Sequence, residues 1–149
     1  MVTNTGLESA IARAASALNG VAAVYLFGSH AAGRSHRESD VDIGILLDRH
    51  IYGTPAARFE MRVRLTAILI PALFPSAPDV VVLNDAPPTL AASIVTRGRQ
   101  LACADAEAEH AFRRDVQLRA ADLRPFLHRT RRVKLQALAS RITPKPFAT

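Results

Sequence analysis

The sequence predicts an α/β domain built on a small β-sheet flanked by helices, followed by a helical basic tail. Three observations carry this. Apolar residues fall alternately at helical spacing and in short strand-like runs, in the order helix, strand, strand, helix, strand, helix, strand, helical tail. The chain has 149 residues, 49% of them hydrophobic, which is enough for one domain with a real core. The charge is divided: residues 1–104 carry nine Arg against eight Asp or Glu, whereas residues 105–149 carry ten Arg or Lys against five Asp or Glu. The expected organisation is one α/β domain over residues 1–104 and a helical basic tail over residues 105–149.

Each element has its own signal. Leu7, Ile11, Ala14, Ala15 and Leu18 lie at helical spacing, and Asn19-Gly20 closes the segment. Ala22 to Phe27 is the first strand, Gly28-Ser29 the turn after it, and His30 to Gly33 a short helical piece. Arg34 to Ser39 is polar and loop-like. The second strand runs over about 41–47, and its apolar residues continue on both faces, the mark of a central, buried strand. Pro55 suits the first turn of a helix. In that helix Phe59, Val63, Ala67 and Ile70 trace one stripe, widened by Met61, Leu65, Ile68 and Leu69, and it ends around Pro71 to Pro75. Val80 to Leu83 is a third strand that begins directly after Pro78-Asp79. A short helix spans about Thr89 to Thr96, and Arg99 to Ala102 is a fourth, edge strand. In the tail, Phe112, Val116, Ala120, Leu123 and Leu127 give a helical stripe that Pro125 kinks or divides. Thr143-Pro144-Lys145-Pro146 predicts a frayed, disordered end.

Composition excludes several classes. A single cysteine, Cys103, rules out a disulfide framework and a cysteine metal site within the chain, and fits a reducing cytoplasm. No cationic or His neighbour marks that thiol as reactive, so a structural role is expected. Met1 to Thr5 lacks the basic and apolar regions of a signal peptide, and the longest apolar run, Leu65 to Phe74, is too short to span a bilayer. The net charge of +6 sits mostly in the tail, which suits a solvated face, nucleic acid or an acidic partner surface. Aromatic residues are only 5% of the chain and are not interleaved with the basic ones, so a dedicated nucleic-acid surface is not favoured.

The chemistry concentrates at the junction of the first two strands. Residues two apart in a strand point to one face, so Asp40 and Asp42 project together with Cα atoms roughly 6–7 Å apart. Paired carboxylates repel unless a cation lies between them, and a hard divalent ion binds through such carboxylates plus substrate phosphates. Gly28-Ser29 offers backbone N–H groups and a hydroxyl to an anion. Asp79 begins a strand expected beside the one carrying Asp40 and Asp42, and would complete a triad able to hold two metals about 3.5–4 Å apart for in-line displacement at phosphorus. The remaining candidates are weaker. His30 in its turn is expected to be solvated, and His36, His50, His110 and His128 show no metal spacing. Arg58 and Arg62 share a helix face and are expected to be solvated.

Leu26-Phe27-Gly28-Ser29, Gly33 and Ser39-Asp40-Val41-Asp42-Ile43 resemble the signature of the minimal nucleotidyltransferase domain of the DNA polymerase β superfamily, over roughly residues 7–102. The resemblance implies that fold, a small mixed sheet flanked by helices. It implies ATP as substrate, Mg²⁺ as two ions, and transfer of a nucleoside monophosphate with release of pyrophosphate. On it, Gly28 and Ser29 bind the triphosphate, Asp40, Asp42 and Asp79 hold the metals, and Asp79 also activates the acceptor hydroxyl. Two positions depart from the pattern: many members have Arg where this chain has His30 and Ala32, with Arg34 and Arg37 as nearby substitutes. Short stand-alone members resemble antitoxins that transfer AMP to a tyrosine hydroxyl of a helical HEPN ribonuclease toxin. The tail segment Asp122 to Leu127 loosely matches theirs. The expectation is therefore a cytoplasmic protein adenylyltransferase antitoxin. The alternatives are a non-catalytic antitoxin that neutralises its partner by docking, and transfer to a small-molecule or nucleic-acid hydroxyl.

Overall fold

A computed structural model of the protein describes residues 4–33 and 39–142. Its elements follow the predicted order: α1 (Asn4–Ser16), β1 (Val21–Phe27), α2 (Gly28–Ala31), β2 (Val41–Leu47), α3 (Pro55–Leu73), β3 (Pro78–Val82), a 3-10 turn at Leu83–Asp85, α4 (Pro88–Arg97), β4 (Arg99–Cys103) and α5 (Ala106–Ile142). The strands form one mixed sheet in the order β3-β2-β1-β4. β1 pairs antiparallel with β2 and with β4, and β2 pairs parallel with β3. A parallel pair needs a crossover, which α3 provides. β2 is central, as its two-sided apolar run predicts, and β4, like β3, is an edge.

The sheet has an apolar layer on each face. Val24, Leu26, Ile43, Ile45 and Val80 pack against Leu7 and Ile11 of α1 and Leu65 and Leu69 of α3. Ala23, Tyr25 and Leu46 face the other way, onto Ala91, Ile94 and Val95 of α4 and Val116 of α5. Strand alternation places Asp42 and Asp79 on this second face. α4 comes close there because position 44 is glycine: a Cβ on Gly44 would lie 3.0 Å from Ile94 Cγ2.

Two helices differ from the sequence expectation. In α3 the core set is Met61, Leu65, Leu69 and Leu73. Phe59, Val63, Ile68 and Ile70, expected to be part of the buried stripe, are 42–60% exposed. Both rows of α3 are apolar, and periodicity defines the rows without choosing between them. The choice is made by anchors at the N-terminal end. Thr54 Oγ1 accepts from Ala57 N at 3.1 Å, and Arg58 grips Asp85 (Nη2–Oδ1 2.8 Å, Nε–Oδ2 2.9 Å) while Nη1 donates to Tyr52 O at 3.0 Å. Arg58 is thus a structural clamp, contrary to the solvated face expected. α5 runs unbroken past Pro125, which was expected to kink or divide it. Proline removes one i→i−4 bond. Residues 121–126 are exposed, so water is at hand for the carbonyl left without its donor.

Candidate active site

The turn after β1 and the start of β2 meet at one end of the sheet. Phe27 pairs with Asp42 across β1 and β2, and Asp42 pairs with Asp79 across β2 and β3. The strand spacing puts neighbouring backbones about 4.8 Å apart. The Asp42–Asp79 juxtaposition expected from sequence is therefore present in the register. Asp40 lies two residues upstream, just before β2. Asp40 and Asp79 are exposed and Asp42 is half-buried.

Gly28 begins α2 with φ +73°, a left-handed conformation that favours glycine. A Cβ at Gly28 would lie 2.1 Å from Asp42 Oδ2, so only glycine lets the carboxylate sit against the turn. Ser29 follows, half-buried. His30, expected to be solvated, is only 6% exposed, and its Nε2 lies 3.3 Å from Ser39 O. No sequence signal distinguished this burial, because a polar residue in a four-residue helix has no apolar period around it.

The Asp42 carboxyl is pushed above the usual aspartate range, first by burial and then by the charges of Asp79 and Asp40, with His30 acting in the opposite sense. The three carboxylates thus share a field that disfavours ionisation at the most buried of them, and a bound cation would relieve it. Among the described residues no three His, Cys, Asp or Glu side chains are gathered into a cluster that could hold a metal ion as they stand. The donor set nevertheless fits a hard divalent ion. It is all carboxylate oxygen, it lies at one end of the sheet, and the register brings two of its members side by side.

The other candidates fall elsewhere. His50, His110 and His128 are exposed, and Arg62 lies on the outer side of α3. Cys103 is a free, exposed thiol on edge strand β4. His36, Arg34 and Arg37, the predicted loop around them, residues Met1 to Thr3 and the predicted frayed end at Thr143 to Pro146 lie outside the described residues. No described helix is long and apolar enough to cross a membrane.

Sequence reasoning missed a buried polar cluster behind the site. Tyr25 Oη donates to Glu109 Oε1. Arg113 also donates to Glu109 Oε1, from Nε at 2.9 Å and from Nη2 at 2.6 Å, and its Nη1 donates to Val95 O at 2.7 Å. Burial would raise the Glu109 carboxyl, but the hydrogen bonds from Tyr25 and Arg113 outweigh it and hold the group below the usual glutamate range. Burial, then the hydrogen bond to Glu109, pushes the Tyr25 phenol well above its ordinary value. The cluster ties α5 to β1, the strand that delivers Gly28. The charged pair is at i,i+4 on a helix and was visible as such, but its partner Tyr25 is 84 residues away.

The sequence profile of the family described as polymerase beta, nucleotidyltransferase matches residues 9–107. The protein adenylyltransferase MntA of Shewanella oneidensis is 37% identical over 78 residues, which are 52% of this chain and 51% of that protein, so the chain spans about half the length of this curated relative. Among solved structures, a toxin–antitoxin complex with AMP-PNP superposes with a TM-score of 0.60 at 26% identity, covering 89% of this chain and 98% of the matched one. A tri-AMPylated Shewanella oneidensis HEPN toxin in complex with MNT antitoxin superposes with a TM-score of 0.57 at 22% identity, covering 92% and 99%. This last likeness is one of fold.

Proposed function

We propose, for a chain that belongs to the polymerase beta nucleotidyltransferase family, that it is a protein adenylyltransferase antitoxin. In this reading it moves AMP from ATP to a tyrosine hydroxyl of a helical HEPN toxin in the cytoplasm, and pyrophosphate leaves. The observation that carries the reading is the register of Asp42 beside Asp79, with Gly28 at positive φ against Asp42. The names of the relatives supply the acceptor class: one is an adenylyltransferase acting on protein, and one structure holds an AMPylated toxin with its antitoxin.

The roles divide by chemistry. Gly28 and Ser29 bind the triphosphate through backbone N–H groups and the hydroxyl. Asp40, Asp42 and Asp79 would hold Mg²⁺, taken as two ions. When bound there, Mg²⁺ neutralises phosphate charge and stabilises the attacking and leaving oxygens. Asp79, an exposed member of the triad, takes the proton from the acceptor hydroxyl. The hydroxyl oxygen then bonds to the α-phosphorus as the bond to the pyrophosphate oxygen breaks.

The test is co-incubation of the purified chain with the helical protein encoded beside it, ATP and Mg²⁺, followed by intact-mass measurement of the partner. Additions of AMP are expected, and none with Asp42→Ala or Asp40→Ala at preserved fold. If the Asp42→Ala chain inhibits the partner equally well with no mass change, the protein is a docking antitoxin. If AMP appears instead on a small molecule or nucleic acid, the acceptor is wrong and the triad stands.

A further inference from the structure

His30, Glu109 and Tyr25 are the buried ionisable side chains among the described residues. Glu109 and Tyr25 have their partners in each other and in Arg113, between β1 and α5. The role of His30 follows from what its ring touches. A carbonyl oxygen only accepts, so the 3.3 Å contact with Ser39 O requires His30 to carry its proton on Nε2 and to donate it there. Ser39 is nine residues along the chain from His30 and immediately precedes Asp40.

The geometry of the peptide unit gives this contact its consequence. The Ser39 carbonyl and the Asp40 nitrogen lie in one planar unit, so holding the carbonyl orients the bond that leads into Asp40. On the other side, Val41 N donates to Ala77 O at 2.8 Å, two residues before Asp79. Asp40 thus stands between two anchors, the His30 ring upstream and the Ala77 backbone, just before β3, downstream. The upstream anchor springs from the Gly28-Ser29 turn, so one buried side chain couples the turn to the first carboxylate. Asp40 is exposed, and neighbouring packing does not restrain its side chain as a core contact would.

We propose that His30 is a positioning residue, which orients Asp40 by holding the Ser39 carbonyl with its Nε2–H. The role rests on the reading of Asp40 as a member of the reacting site. It belongs to this chain's own departure from the pattern, in which many members have Arg at this position.

The test separates packing from hydrogen bonding. His30→Leu keeps bulk and removes the donor. His30→Gln keeps a terminal N–H donor at similar reach. His30→Ala replaces His30→Leu if the latter fails to fold. The non-donor variant is expected to lower kcat for AMP transfer by about tenfold or more with KM for ATP changed by less than about threefold, because orientation and not nucleotide binding is lost. Backbone amides of Asp40 and Val41 should exchange with solvent about tenfold faster in the nucleotide-free, metal-free protein, while amides of the sheet centre are unchanged. His30→Gln should restore both readouts most of the way. Wild-type exchange at Asp40 and Val41 in the non-donor variant, or a Gln variant as impaired as the Leu variant, overturns the proposal. If the wild-type chain transfers no AMP to any acceptor, the functional reading fails, and the exchange measurement still decides the role of His30.

Discussion

At the residue scale the proposed site sets one glycine against Asp42 and assigns its carboxylates different tasks. Gly28→Ala places a methyl 2.1 Å from Asp42 Oδ2 at φ +73°. It should destabilise the domain by about 1–3 kcal/mol and displace Asp42. Chemical denaturation and ATP titration check the two effects, and unchanged ATP binding would mean that Asp42 is not set by the turn. Asp79→Asn and Ser29→Ala should fail in opposite ways. The amide retains an oxygen but takes no proton, so transfer is lost while ATP affinity is largely kept. On the proposed reading, loss of the Ser29 hydroxyl removes one hydrogen bond to a charged phosphate, about 1.5–3 kcal/mol, mainly from affinity. Measuring Kd and kcat for both variants separates them, and normal transfer by Asp79→Asn would make Asp79 an ordinary strand residue. The carboxylates at positions 40 and 42 and the Gly-Ser turn were legible in the sequence because spacing in a strand and a turn residue are local facts. The pairing of Asp42 with Asp79, 37 residues further on, was an expectation that the register now supplies.

At the scale of elements, α3 and α5 make the energetic argument. Leu65 is fully buried, and Leu65→Ala should cost about 2–5 kcal/mol. Phe59 is 60% exposed, and Phe59→Ser should change stability by less than about 0.5 kcal/mol. Urea denaturation of both variants tests which apolar row of α3 faces the sheet, and equal losses would put both rows in the core. In α5, Glu109 has a folded pKa below its unfolded value of 4.5. Its contribution is therefore full above that pH and is lost as pH falls through the folded value. Glu109→Gln should destabilise by about 1.5–3 kcal/mol at pH 7, and the wild type should approach the variant as the pH falls below 4.5. Melting curves from pH 7 to 3 check this, and parallel curves for the two proteins would show that the carboxylate contributes nothing.

At the scale of the whole molecule, charge and apolar surface both gather in the second half of α5. Phe112 and Val116 pack onto the core, so that part of the predicted tail seam serves the domain itself. Phe126, Val133, Leu135 and Leu138 are 53–64% exposed among Arg129, Arg131, Arg132 and Lys134. That combination suits a partner with an acidic, helical surface, reached by long-range attraction and held by apolar contact. Truncation before Arg129 should leave ATP binding intact and slow modification of the partner by about tenfold at low salt. Added salt should reproduce part of that loss in the full chain, since surface attraction is screened. Rates of AMP addition over a salt series test this, and an unchanged rate in the truncated chain would place docking elsewhere.

The sequence by itself determined the order of elements, the central place of β2, the edge place of β4, the Gly28-Ser29 turn and the Asp40–Asp42 spacing. These follow from an angular repeat or from neighbours in the chain, both of which the linear pattern carries. Tertiary structure alone decided which apolar row of α3 is buried, because Arg58 finds Asp85 27 residues away. It also decided that His30 is buried against Ser39 and that Tyr25 of β1 meets Glu109 of α5. Such contacts join residues that share no local repeat. They form only when whole elements dock and the burial of one polar group becomes tolerable because another, distant in the chain, arrives to pair with it.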